Sequence, residues 1–295
     1  MTAGLPSASA PCRPRRGVEW LDAAAGGGSD RNQQIDGEAA VTTREEVRRA
    51  GEAIREELFG AAGPAALANG VLGFGDLMAE LVYAKVWDRP GLSRADRMAV
   101  TLGVLCAMQN GTQLRRHVGP ALDLGLAPRA IVEILLQTGI YRGFAASETA
   151  LEVALEVFAE RGLRLDDLPR EDPLQALAER GRELQAALHG ERRHDGHAAP
   201  DNPVTGPIYP LVVQYAYGEI WDRPGLDRRV RALCAVACFA ALNHDTLLRK
   251  FALSALNVGA TREEVIEAIV QSGPYGGFAF MLKGLGIVGE AFADV

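Results

Sequence analysis

Residues Trp87 to Arg97 read WDRPGLSRADR, and residues Trp221 to Arg231 read WDRPGLDRRVR. A shift of 134 residues superimposes the two stretches and holds without a gap well beyond them. It pairs Tyr83 with Tyr217, Gly125 with Gly259, Glu133 with Glu267 and Gln137 with Gln271. It then pairs Tyr141-Arg-Gly-Phe144 with Tyr275-Gly-Gly-Phe278. A fainter echo lies upstream at a slightly different offset, where AGEAIREELFG (Ala50 to Gly60) resembles RGRELQAALHG (Arg180 to Gly190). Self-similarity over this length marks two diverged copies of one structural unit.

Each copy reads as helices. Thr43 with Glu46 forms a capping box ahead of an amphipathic segment that Gly60 can end. Pro90-Gly91 punctuates a turn before a long apolar stretch from Ala95 to Met108, repeated from Val230 to Leu242. Ala127-Pro128 and Thr261-Arg-Glu-Glu each look like a helix start after a glycine stop. No sustained alternation of period two occurs, so no sheet is expected. The expected fold is all-α, a tandem duplication of one helical unit forming a pseudo-two-fold pair. The first copy spans 43–165 and the second 166–295, with a polar linker at about 191–202. Residues 1–42 read as a disordered leader.

Composition narrows the function. The 295 residues are 48% hydrophobic and 23% charged, with only 6% aromatic, an ordinary globular balance leaning towards helix. A formal charge of −7 argues against a nucleic-acid partner, whose phosphates reward a basic surface. No apolar run approaches the roughly 20 residues that span a bilayer, and the first residues lack the apolar core of a secretory signal. The expectation is a cytoplasmic protein with neither membrane nor nucleic-acid partner. Of four cysteines, Cys106, Cys234 and Cys238 lie in apolar helical stretches and Cys12 in the leader. The spacing of Cys234 and Cys238 is neither a redox pair nor a zinc pattern.

Several elements together resemble the carboxymuconolactone decarboxylase family, within the AhpD-like superfamily. They are G-x-x-x-R-x-x-L-x-G (Gly51, Arg55, Leu58, Gly60) and W-x-R-P-G-L followed by an arginine. A leucine-x-x-histidine segment, a glutamate-bearing helix and Y-x-G-F complete the series, which runs twice in order. This sequence departs at the last element, where Ala145 and Ala279 stand in place of the family's usual proline. The resemblance implies an all-helical unit that pairs and assembles into rings. For a tandem chain it implies a homo-oligomer, with a trimer as the expectation and a dimer as the other arrangement. It also implies decarboxylation of a carboxylated lactone without a cofactor or a metal. One branch of relatives reduces peroxides with a cysteine pair. The corresponding positions here are Asn110 and Gln113, and Leu247 with His244 in the second copy. No thiol survives there, so thiol peroxidase chemistry is rejected.

The candidate site residues follow from the match and from side-chain chemistry. His117, in Leu114-Arg-Arg-His117, is the expected proton donor, as imidazolium. Its counterpart is Phe251, which transfers no proton. His244 lies two turns before Phe251 and is a candidate partner in a shared pocket. Arg97 is read as catalytic and Arg231 as substrate-binding, since a guanidinium can clamp a carboxylate or enolate. The other reading of both is an ion pair with Glu133 or Glu267. Gln113 and Asn110 are candidate substrate contacts, and Trp87, Trp221, Tyr141 and Tyr275 candidate pocket walls. His189, His194 and His197 lack the carboxylate or cysteine of a metal site. The substrate is expected to be a carboxylated lactone or a related specialised-metabolite, polyketide-like molecule, handled by decarboxylation, isomerisation or cyclisation. A non-catalytic or ligand-binding scaffold of the same fold is the alternative, favoured by Phe251.

Overall fold

Thr43 opens the first described helix by reciprocal hydrogen bonds. The Glu46 amide donates to its hydroxyl (3.2 Å), and its own amide donates to the Glu46 carboxylate (2.7 Å). The computed structural model describes residues 43–60, 71–166, 168–199 and 201–295; the expected leader, 1–42, lies outside them, Cys12 included. Helix α1 (Arg44–Phe59) ends at Gly60, whose φ of 71° suits glycine. Helix α2 starts as Phe74–Leu77 and continues as a wider winding, Met78–Trp87, where the Asp88 amide reaches back five residues to the Tyr83 carbonyl (3.1 Å). Then follow α3 (Arg94–Ala107), α4 (Gly111–Asp123), α5 (Pro128–Arg142) and α6 (Phe144–Glu160).

The second copy repeats the set. Helix α7 (Leu174–His189) matches α1, and α8 (Tyr209–Leu211, continuing as Val212–Trp221) matches α2, wide winding included. The remaining four are α9 (Arg228–Ala241), α10 (Asp245–Asn257), α11 (Arg262–Gly276) and α12 (Phe278–Ala293). No strand occurs among the described residues, and no described helix is long and apolar enough to cross a membrane. The stretch expected as a polar linker folds into two 3₁₀ turns, Gly190–His194 and Gly196–Ala198.

The two apolar stretches noted in the sequence become α3 and α9, which pack together at the centre and are almost wholly buried. Their continuous burial explains why they lack an amphipathic pattern. The free thiols of Cys106, Cys234 and Cys238 belong to this core, and burial raises all three, Cys106 to about 12. None is a thiolate at neutral pH. Gly51 lets α1 touch α2, since a Cβ there would meet the Ala79 carbonyl oxygen at 1.8 Å; Gly181 does the same against Val213 at 2.0 Å.

The halves are strapped together crosswise. Arg97 is fully buried and donates to Glu267 of the other copy (2.8 Å), while Arg89 grips the same carboxylate at 2.6 and 2.9 Å. The mirror arrangement places Arg231 (3.1 Å) and Arg223 (3.0 Å) on Glu133. Of the two readings of these arginines, the geometry gives the ion pair. Arg97 and Arg231 are absent from the walls of the cavity described below, and each is spent on a glutamate of the other half rather than held free for a substrate carboxylate. Burial pushes the Glu267 carboxyl upward, but the hydrogen bonds from Arg89 and Arg97 outweigh it and hold it below the ordinary range. That contribution to stability is present above the unfolded value and fades as pH falls through the lower folded one. Glu267→Gln leaves a desolvated guanidinium short of its counter-charge and is expected to cost about 3–5 kcal/mol in a denaturant titration. A loss under about 1 kcal/mol would deny the strap its role.

Candidate functional site

Each half holds an aromatic cage that borrows one wall from the other. Trp87 donates its indole N–H to the Tyr275 hydroxyl (2.9 Å), and Trp221 donates to Tyr141 (3.0 Å). The four aromatic residues therefore tie the halves together at two symmetry-related places.

In the first cage, His117 projects from α4 and is 3% exposed. Its Nδ1–H is donated to the Gln113 carbonyl one turn back (2.7 Å), which leaves Nε2 as the bare nitrogen. The ring stands edge-on to Phe59 at 5.0 Å and to Tyr275 at 5.5 Å. Nε2 is buried and has no hydrogen-bond partner among the described residues. Burial, reinforced by Arg116 but opposed by the Gln113 bond, lowers the imidazole to about 4. At neutral pH it is therefore a free base, not the imidazolium expected of a proton donor.

The second cage exchanges the two rings. Phe251 stands in the place of His117, and His189, at the end of α7, stands in the place of Phe59. The pair again meets edge-on at 5.0 Å. His189 is fully buried, with Nδ1 on the Ser254 hydroxyl (2.7 Å) and Nε2 on the Tyr217 hydroxyl (2.8 Å). Ser254 spends its own proton on the Lys250 carbonyl (2.8 Å), so Nδ1 carries the ring proton and Nε2 accepts from Tyr217. Burial, helped by the charges of Lys250 and Arg192, lowers His189 to about 3, and burial raises the Tyr217 phenol well above its usual value. In the sequence His189 is indistinguishable from its polar neighbours. Its only signal was the upstream echo, which aligns Phe59 with His189.

Beside this second cage opens a cavity of about 630 Å³. Tyr141 from the first half and Tyr217, Trp221, Phe239 and Phe251 from the second give it aromatic walls. Its polar rim carries His244 and Lys250, joined by Arg192 and His197 from the two 3₁₀ turns and by Asp195 between them. The segment expected to be a linker is thus part of the cavity wall.

The remaining candidates fall in different places. His244 lies on the second-half cavity with its ring 6.0 Å from Phe239, whereas His117 lies in the first cage, so the two do not share a pocket. Asn110 caps α4 by accepting from the Gln113 amide (3.2 Å), and Gln113 supplies the carbonyl that fixes His117. His189, His194 and His197 do not converge, and no group of three metal-ligating side chains gathers among the described residues.

Comparison with known proteins accords with this architecture. The model of the carboxymuconolactone decarboxylase family matches twice, at residues 73–156 and 207–290. The chain belongs to that family, as a tandem duplication of its unit, and its function is decarboxylase-like. It is 33% identical over 113 residues to a 4-carboxymuconolactone decarboxylase of Acinetobacter baylyi, covering 38% of this chain and 84% of that one. It is 28% identical over 93 residues to a nitrosuccinic acid decarboxylase of Metarhizium robertsii, covering 32% and 65% respectively.

The two buried histidines make stability depend on pH. Each is lowered in the folded protein relative to its unfolded value near 6.5, so the unfolded chain binds more protons between the two values. Stability is fully present above about pH 6.5 and declines as pH falls, by up to about 1.4 kcal/mol per unit for each ring. His117→Phe and His189→Phe should each remove one share of that slope between pH 5 and 6.5. Equal slopes in the variants and the parent protein would contradict the buried, neutral assignment.

Proposed function

We propose that the chain is a cofactor-independent enzyme of acid–base chemistry, decarboxylating a carboxylated small molecule in the second-half cavity. The observation that carries this reading is the exchange of rings between the cages. A cage that had lost its function would keep Phe251 and need no imidazole. Instead a different helix supplies one from the other side of the same ring pair, fully hydrogen-bonded, against a tyrosine that lines the cavity. The scaffold alternative is favoured by the divergence of the second copy, Phe251 above all, and an imidazole at His189 in that same cage weighs against it.

The chemistry asked of the protein is modest. The bond to the departing carboxylate breaks, carbon dioxide leaves, and the electron pair passes into a conjugated carbonyl as an enolate. The enolate then takes one proton at carbon. Aromatic walls favour the dispersed charge of the enolate over the localised charge of the carboxylate. His244, solvent-exposed on the cavity rim, is the proposed source of the proton, replenished from water. Tyr217, whose hydroxyl proton is committed to His189, is the proposed acceptor of a hydrogen bond from a substrate hydroxyl. His117 offers a bare nitrogen in the first half, and its contribution there is proposed as that of a base.

The names of the two relatives suggest the first compounds to try. Carbon dioxide release from 4-carboxymuconolactone and from nitrosuccinate is to be measured with the parent protein and with His189→Phe, His244→Gln and His117→Phe. Loss of His189 or His244 should lower kcat by about a hundredfold or more. The double variant His189→Phe/Phe251→His, which rebuilds the first-half arrangement in the second, should not recover the loss, since an imidazole at position 251 lies out of reach of the Tyr217 hydroxyl. Undiminished turnover in both His189→Phe and His244→Gln would refute the assignment.

A further inference from the structure

Arg192 and Lys250, both partly buried, face the cavity without an acid partner among the described residues, in contrast to three arginines of the strap between the halves. Arg97, Arg223 and Arg231 all sit on glutamates. Arg192 makes no ion pair among the described residues, and its Nε and Nη2 are buried without a hydrogen-bond partner. Lys250 is partly buried and likewise makes no ion pair there. The charges of the two lie close enough to repel one another, and the charge of Asp195, exposed on the same wall, acts on Lys250 in the opposite sense. The other arginine on the rim, Arg249, is occupied by Asp294.

Desolvating a guanidinium without a partner costs several kcal/mol, and setting an ammonium beside it adds repulsion. A chain that keeps both on the wall of a largely aromatic cavity has built one half of an ion pair. We propose that Arg192 and Lys250 form a subsite for an anionic oxygen, and that the ligand is an acid with a fused-ring apolar body held between the aromatic walls. This rests on the reading of the cavity as the substrate site and adds the ligand's class to it. The volume of about 630 Å³ lies within the range that holds drug-sized ligands and exceeds what a single-ring lactone fills.

The position of the cations also decides which oxygen they hold. A carboxylate pinned by two cations is stabilised before it leaves, which slows the loss of carbon dioxide. The same cations under the carbonyl oxygen stabilise the enolate that forms as the electron pair moves away. The subsite therefore takes the oxygen that stays. The departing carboxylate lies against the aromatic wall. A substrate of this class carries its carboxyl next to a conjugated carbonyl on a polycyclic frame, and its ring-bearing anionic product is the better mimic of what the subsite binds.

Binding of 9-anthracenecarboxylate, used as a product mimic whose anionic oxygen stands for the enolate oxygen and not for a departing carboxylate, is followed by its fluorescence and compared with binding of neutral 9-anthracenemethanol on the full chain. The acid should bind at least about tenfold more tightly, and Arg192→Gln and Lys250→Met should each remove about tenfold of its affinity while leaving the alcohol within about twofold. Arg192→Lys should retain part of the preference, and unchanged thermal melting identifies variants that have kept the fold. Tight binding of acid and alcohol alike would overturn the subsite and leave the cavity reading standing. An acid preference indifferent to both substitutions would overturn it in the same way. Binding of neither compound would overturn both.

Discussion

A carboxylate locked between two guanidiniums of the other half is the interaction on which the architecture depends. Glu133, Gln137 and Tyr141 stand at four-residue intervals along α5, as Glu267, Gln271 and Tyr275 do along α11. That spacing lines them up on one helix face, a ridge of about 12 Å from first to last. All three members reach across. The glutamate takes two arginines, the glutamine meets the guanidinium of Arg231 or Arg97 (3.4 and 3.3 Å), and the tyrosine takes a tryptophan indole. Because the glutamate is nearly dry, its position tolerates little drift, and the tyrosine two turns on inherits that precision. The cages are composite because the ridge that fixes them also joins the halves.

Most of the fold was legible in the sequence because periodic patterns and capping chemistry are local. The repeat, the capping box at Thr43, the glycine stops and the two buried central helices all follow from residues close together in the chain. The ridge was half legible. Its residues recur at matched positions, but matched positions do not say whether an arginine holds a substrate or a neighbouring helix. What decides is burial, and burial belongs to the assembled pair.

The site was less legible, for a related reason. The ring exchange joins α1 with α4 and α7 with α10, segments far apart in sequence. His189 looked like one of three histidines in a charged stretch, and nothing local distinguishes it from His194, which is exposed. The polar run after Gly190 read as a connection because its composition is that of a loop. Composition does not show that the loop lies over a hollow, where Arg192, Asp195 and His197 become part of a wall.

The exchange is also not free to occur in either half. An imidazole buried at the end of α1 or α7 needs a partner for its ring N–H, and the backbone there is occupied in closing the helix. Ser254 supplies that partner for His189 (2.7 Å), and the residue corresponding to Ser254 in the first half is Pro120. A proline side chain neither accepts nor donates, so a histidine at position 59 would be left with an unsatisfied donor, at a cost of about 1–3 kcal/mol. His117 has no such need, since it uses the Gln113 carbonyl of its own helix. Each arrangement is therefore coherent only with its own half: His117 with Phe59 and Pro120, His189 with Phe251 and Ser254. The second arrangement alone leaves the imidazole within reach of Tyr217, and it is beside that tyrosine that the cavity opens.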